Sequence, residues 1–339
     1  MIKLSILDQS PVSEGMTHAQ ALQKTAELAI EAERLGYHRF WVSEHHSAAN
    51  LAGSSPEVLI SHLAARTRAI RVGSGGVMLP HYSAYKVAEN FRVLEGLYPG
   101  RIDLGLGRAP GGMPIATRAL QEGKMRGGVD LYPEQLDDLL AYLHDSTGNN
   151  HRFGSLQAMP LIETVPEMWL LGSSGDSAGL AAERGVGFAF AQFINGEGGT
   201  GAMKEYQESF QPSQHSDQPR SLVAVFAICA DTEEEANRLA SSMDLSLVLL
   251  EQGMRSAGTP SVEKALAYPY TPFDRMRIRE NRKRMVVGSP EQVKRQIEQL
   301  SKDYNAQEIM VASIIHDFDA KMKSIRLMAE AFGLSSVQS

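Results

Sequence analysis

Apolar and polar positions alternate along this chain in two rhythms. Short apolar runs rich in β-branched and aromatic residues, bounded by turn formers, predict strands at Lys3 to Asp8, His38 to Val42, Ile70 to Ser74, Arg101 to Leu106, Met168 to Leu171, Gly187 to Ala191, Leu222 to Ala230 and Glu308 to Ala312. Between them, apolar residues recur at helical spacing. Thr17-His18-Ala19-Gln20 offers a capping box for one helix, which Gly36 closes, and Ser54-Ser55-Pro56-Glu57 opens a second. Further helices are predicted over Tyr85 to Leu97, Pro133 to Leu143, Ala178 to Arg184 and Met203 to Phe210, after the acids of Asp231 to Glu235, from Ser289-Pro290 to Leu300, and over Ala320 to Phe332.

Strand and helix alternate about eight times, which the layer rules turn into an α/β fold with a parallel sheet inside and helices outside. A closed (β/α)8 TIM barrel with insertions, one domain spanning residues 1–339, is the simplest solution. A doubly wound open sheet is the alternative, but no Gly-x-Gly-x-x-Gly opens the first helix. Residues 107–130 interrupt the rhythm: Gly107-Arg108-Ala109-Pro110-Gly111-Gly112 and Gly127-Gly128 read as a functional loop.

Composition changes this picture little. Hydrophobic residues make up 43% and charged residues 22% of the 339, the balance of a globular protein with a large core. A net charge of -7 lacks the basic field that draws proteins to nucleic acid or anionic membranes, so neither is an expected partner. No basic leader or long uncharged apolar run is present, and a cytoplasmic location is expected. The single cysteine, Cys229, lies in an apolar run and reads as core packing.

Candidate chemistry gathers at the predicted strand ends. Phe40-Trp41-Val42 stops abruptly at Glu44-His45-His46, groups that avoid burial unless they have partners, where a barrel places catalytic residues. Ser74-Gly75-Gly76, Gly107-Arg108 and Ser173-Ser174-Gly175 would face the same mouth. Ser173, Ser174, Gly175 and Ser177 sit between a strand and a helix N-terminus, where hydroxyls and backbone N–H groups hold an anion, or where a serine merely caps the helix. Arg108 favours a phosphate, which a guanidinium can clamp. Gly75-Gly76 lets something flat approach the backbone, or marks a bulge. His45 and His46 point apart in extended chain, and no metal site is expected. Phe190, Gln192 and Phe193 read equally as pocket lining or core.

Four stretches together carry a resemblance: Trp41 to His46, Val72 to Pro80, Gly100 to Arg108, and Val287-Gly288-Ser289-Pro290-Glu291. In this order and spacing the chain resembles the bacterial luciferase-like flavin monooxygenases, and looks closest to their short, single-chain, non-luminescent branch. The resemblance implies a barrel that uses FMN, often as reduced FMN supplied by a separate flavin reductase, with O2 adding at the flavin C4a position and a small organic substrate being oxygenated. It implies that Arg108, Ser173, Ser174, Gly175 and Ser177 hold the flavin phosphate, that Gly75-Gly76 is a non-prolyl cis peptide beneath the ring, and that His45 is the catalytic base with Glu44 beside it. Residues 253–285 resemble the family's mobile active-site loop, and the cations from Arg275 to Arg284 would close over an anion or form a solvated helical face. A homodimer is also implied. Gly107 stands where luciferases carry a cysteine, so light emission is not expected. Other branches use the deazaflavin F420 for hydride transfer, and a flavin-binding protein without catalysis is the rival of another class.

Overall fold

The computed structural model describes residues 2–124, 130–148, 151–254 and 256–335; Gly127 and Gly128 of the expected functional loop lie outside these. All eight predicted strands form, as β1 (Lys3–Asp8), β2 (Arg39–Val42), β3 (Arg71–Met78), β4 (Ile102–Gly107), β5 (Glu167–Gly172), β6 (Gly187–Ala191), β7 (Ser221–Cys229) and β9 (Glu308–Ala312), with a further strand β8 (Met285–Gly288) before the last. The helices are α1 (His18–Leu35), α2 (Pro56–Arg66), α3 (Ala84–Leu97), α4 (Pro114–Leu120), α5 (Tyr132–Leu143), α6 (Gly175–Arg184), α7 (Gly199–Ser209), α8 (Glu233–Glu251), α9 (Val262–Ala267), α10 (Pro272–Arg282), α11 (Pro290–Asp303) and α12 (Phe318–Phe332). Local chemistry sets their ends. Thr17 and Gln20 cap α1 reciprocally, and Gly36 ends it at φ 85°, a left-handed conformation that suits glycine.

All strand pairings are parallel. Neighbours run β6-β5-β4-β3-β2-β1-β9-β7, and the additional β6–β7 pairing closes the ring of eight, which excludes an open sheet. Strand β8 stands outside that ring. It pairs with Phe226 to Cys229 of β7, beyond the stretch Ser221 to Ala224 taken by β6. Because Phe226 also pairs with Ala312 of β9, β8 must follow β6 along the same edge of β7.

Alternation along each strand builds two cores. In β7, Val223, Val225, Ala227 and Cys229 join the layer beneath the helices, while Leu222, Ala224 and Phe226 join the barrel interior. Cys229 is buried in the outer layer, where burial pushes its thiol up to about 12, far from a reactive thiolate.

The barrel floor is ionic. Arg39 donates to Asp103 at 2.7 Å, Glu308 at 2.7 Å and Glu167 at 3.3 Å, and Arg71 reaches Asp103 at 2.6 Å. Burial resists the charge on Asp103, but Arg39 and Arg71 beside it hold its carboxyl below the ordinary range. Above this floor Trp41 and Trp169 meet edge to face at 5.6 Å, and the Trp41 indole donates to Asp103. Gly73 and Gly187 make room for them: a Cβ at Gly73 would lie 2.8 Å from Trp41 Nε1, and one at Gly187 2.6 Å from the Trp169 ring.

Two stretches expected as loops are partly helical. Residues 107–130 contain α4, which Pro114 starts. The expected mobile loop 253–285 contains α9, α10 and the start of β8, with Thr271 and Asp274 forming a capping box for α10.

Candidate functional site

Four rim segments converge at the C-terminal ends of β2 to β5. At the end of β2, Glu44 is fully buried and its carboxylate is saturated: Oε1 accepts from Tyr82 Oη at 2.6 Å and His46 Nε2 at 2.6 Å, and Oε2 from the Met78 amide at 2.9 Å. Glu44 therefore ties β2 to the end of β3 and to the Tyr82 turn. Its imidazole partner is His46; His45, the neighbour in sequence, bonds Ser43 instead. Burial and the hydrogen bond it donates to Glu44 both push the Tyr82 hydroxyl upward, so it remains a donor.

His45 has separate surroundings. Its Nδ1 lies 3.0 Å from Ser43 Oγ, and its backbone amide donates to the Gly53 carbonyl at 2.8 Å. Burial and the neighbouring His46 hold it down to about 4, so at neutral pH it is an uncharged imidazole. Ser43 bonds His45 and Glu44 bonds His46, an alternation that, continued from β2, places His45 on the side of Trp41, which faces the lumen. The two histidines thus point apart, as their adjacency predicts.

Gly75 and Gly76 lie within β3 and the peptide between them is cis. The β3–β4 register shifts between Gly75 and Val77, so the bulge reading is also correct. A Cβ at Gly76 would lie 2.7 Å from the Gly105 carbonyl, and one at Gly75 2.9 Å from Leu7 Cδ1. The Gly105 backbone therefore requires glycine at 76, whereas at 75 the flexible end of Leu7 is what a side chain would meet first.

The segment 107–112 touches every part of this rim. His46 donates its amide to the Gly111 carbonyl at 2.8 Å, and His81 Nε2 donates to that of Pro110 at 2.8 Å. Gly111 has φ 60°, and a Cβ at Gly112 would stand 2.5 Å from the His46 carbonyl, so the backbone crosses His46 at a distance only glycine permits. Arg108 lies next to this crossing. Its guanidinium pairs with Asp130 and comes within 3.9 Å of Asp176 in the first turn of α6, with the side chain 43% exposed. Arg108 and the serine turn are thus brought together, as expected.

Ser174 occupies the N-cap position of α6 but makes no side-chain cap bond. Plain capping therefore does not explain the serine turn. The Ser173 carbonyl accepts from Asn195 at 2.9 Å, and Ser177 is buried. Uncapped N–H groups at the start of a ten-residue helix, hydroxyls at Ser173 and Ser174, and a half-exposed guanidinium make a donor set that suits a phosphate.

The remaining expectations divide. Phe190 packs outward against Tyr304 at 5.6 Å and is core, whereas Phe193 packs on Phe226 at 4.9 Å on the inner side, and Gln192 is buried. Cations of the 275–284 stretch are mostly committed. Arg277 pairs with Glu251, Lys283 with Glu280, and Arg282 with buried Asp244 at 2.7 Å. Arg284 instead donates to the Ile194 carbonyl at 2.6 Å, so the stretch is tied both to α8 and to the segment after β6. The insertion still reaches the rim, since Thr259 exchanges backbone hydrogen bonds with Val12 at 2.7 Å and Glu14 at 2.9 Å. Tyr82, Ser43 and His81 were not singled out in the sequence. For Tyr82 and His81 the one available signal is an imidazole and a phenol side by side at the next strand end; Ser43 carried none.

Comparison with known proteins fits this arrangement. The family model for luciferase-like monooxygenases matches residues 2–305. The Bacillus subtilis protein YwcH is 60% identical over 98% of this chain and 99% of its own, and an N-acetyl-S-alkylcysteine monooxygenase of the same organism is 42% identical over 98% of both. The crystal structure of apo-MsnO8 superimposes with a TM-score of 0.90 at 40% identity, covering 98% of each chain. Two more distant structures share the fold: the FMN-bound oxygenating constituent of 3,6-diketocamphane monooxygenase (TM-score 0.72, 20% identity, 98% of this chain and 97% of its own) and an F420-dependent secondary alcohol dehydrogenase (0.68, 14%, 97% and 98%).

Proposed function

The chain belongs to the luciferase-like monooxygenase family, and on that premise we propose that it oxygenates a small organic substrate with O2 and reduced FMN, taking the flavin from a separate reductase and working as a homodimer. The observation that carries this reading is the meeting of Arg108 with the uncapped start of α6 at a rim segment that also crosses His46. Arg108, Ser173, Ser174, Gly175 and Ser177 would hold the flavin phosphate, with Asp130 and Asp176 exchanged for the dianion. Gly75 and Gly76 would lie under the ring.

Bound reduced FMN supplies the two electrons that O2 requires. The chain's own residues supply position. His45, uncharged and on the lumen side, faces the reacting region; Glu44 acts through the groups it holds, because its oxygens are already occupied by Tyr82, His46 and Met78. The 42% identical relative makes an N-acetyl-S-alkylcysteine the first substrate to try.

Fluorescence titration with FMN and with F420 tests the reading. FMN should bind and F420 should not. The hydrogen bonds of a guanidinium to a phosphate are worth about 1.5–3 kcal/mol, so Arg108→Ala should weaken FMN binding by roughly tenfold or more. Binding of F420 in place of FMN, or equal FMN affinity in wild type and Arg108→Ala, would overturn it.

A further inference from the structure

His45 and His46 are adjacent in sequence, yet their ring nitrogens are used differently. His46 Nε2 is committed to Glu44 at 2.6 Å; since a carboxylate only accepts, that nitrogen carries the proton. His45 makes one side-chain contact among the described residues, from Nδ1 to Ser43 Oγ at 3.0 Å, which leaves its Nε2 free.

The direction of that contact is decided by the hydroxyl. Ser43 is only 3% exposed, and its Oγ has no other partner among the described residues. If His45 donated from Nδ1, the serine proton would be buried without an acceptor. If Ser43 donates to Nδ1, both groups are satisfied and the ring proton moves to Nε2. Buried donors left unpaired are rare because their desolvation goes uncompensated, so the second arrangement prevails. Only a neutral ring has a single proton to place, and the burial that holds His45 down to about 4 keeps the ring neutral at neutral pH.

We infer that Ser43 is a positioning residue that fixes His45 as its Nε2–H tautomer, so that the imidazole offers the barrel mouth a hydrogen-bond donor instead of the base implied by family resemblance. The lumen-side position of residue 45 points that donor toward the reacting region. Such an N–H suits an oxygen atom that gathers negative charge, on the substrate or derived from O2, and holds it without surrendering the proton. The tautomer itself follows from Ser43 alone; what the donor meets rests on the proposed flavin chemistry.

Ring 15N and 13Cδ2 chemical shifts of histidine-labelled, flavin-free protein at neutral pH test the tautomer directly, with His45→Gln used to assign the signals. His45 should be protonated at Nε2 with Nδ1 in the hydrogen-bonded acceptor range. Ser43→Ala should convert it to a mixture of tautomers, Ser43→Thr should restore the single form, and His46 should stay Nε2–H throughout as the internal control. An Nδ1–H tautomer in the wild type, or a His45 signal unmoved in Ser43→Ala, overturns the inference; the wild-type spectrum decides alone if Ser43→Ala fails to fold. Because no flavin is present, this outcome is independent of whether the protein binds FMN.

Discussion

Glu44 has three donors converging on one carboxylate, and two of them, the Met78 amide and the Tyr82 hydroxyl, come from beyond its own segment. The motif Glu44-His45-His46 was legible in the sequence because polar groups stop an apolar run. Its wiring was not, because Tyr82 lies 38 positions away and nothing in local spacing links a phenol there to a carboxylate here. Removing the acceptor strands a phenol, an imidazole and a backbone amide in partly buried surroundings, and each such group costs about 1–3 kcal/mol. Glu44→Ala is therefore expected to lose at least ~3 kcal/mol of stability in urea unfolding. Tyr82→Phe, which leaves the other two bonds intact, should lose less than half of that.

Seven of the eight predicted strands were read to within a residue at each end, because a parallel strand covered on both faces is a continuous apolar run; β3 runs on past the expected Ser74 to Met78, through the glycine pair that reads as a stop. What escaped is what tertiary context creates. Arg39, Arg71, Asp103, Glu167 and Glu308 mark strand beginnings in the sequence, and periodicity cannot say that they turn inward and form the floor. Strand β8 has four residues and follows a basic stretch, so it gave no run long enough to notice. Gly73 and Gly187 carried no local signal, because the indoles that need their space come from other strands. The floor makes its own prediction. Breaking a buried ion network from one side leaves uncompensated charge and costs about 3–5 kcal/mol, so Arg39→Ala should lower the unfolding free energy by that amount. Since Arg39 opens β2 at the end opposite the mouth, FMN affinity of the folded variant should not change.

Across the whole molecule, partly buried neutral histidines add to the response to acid. His144 Nε2 lies 2.9 Å from His215 Nδ1, joining the end of α5 to the loop before β7. Burial, His144 and Arg220 hold His215 down to about 3; burial and then Arg92 lower His144; and His45 is held near 4. An unfolded histidine takes its proton near 6.5, so between that value and the folded ones the unfolded chain binds more protons. Stability contributed by these groups is full above about pH 6.5 and is lost as pH falls toward 3 to 4. The melting temperature should accordingly fall from pH 7 to pH 4.5, and His215→Gln should flatten that slope, as followed by circular dichroism. Among the described residues no helix is long and apolar enough to cross a membrane.

Whether this barrel handles reduced FMN and oxygen is decided by rapid mixing of the anaerobic complex with O2. Flavin absorbance should recover more slowly than for free reduced FMN, and in the presence of an accepted substrate, an N-acetyl-S-alkylcysteine first, flavin reoxidation should yield oxygenated product. Reduced FMN that stays unbound under these conditions, or that reoxidises at the free rate with and without substrate while releasing only hydrogen peroxide, would contradict the account.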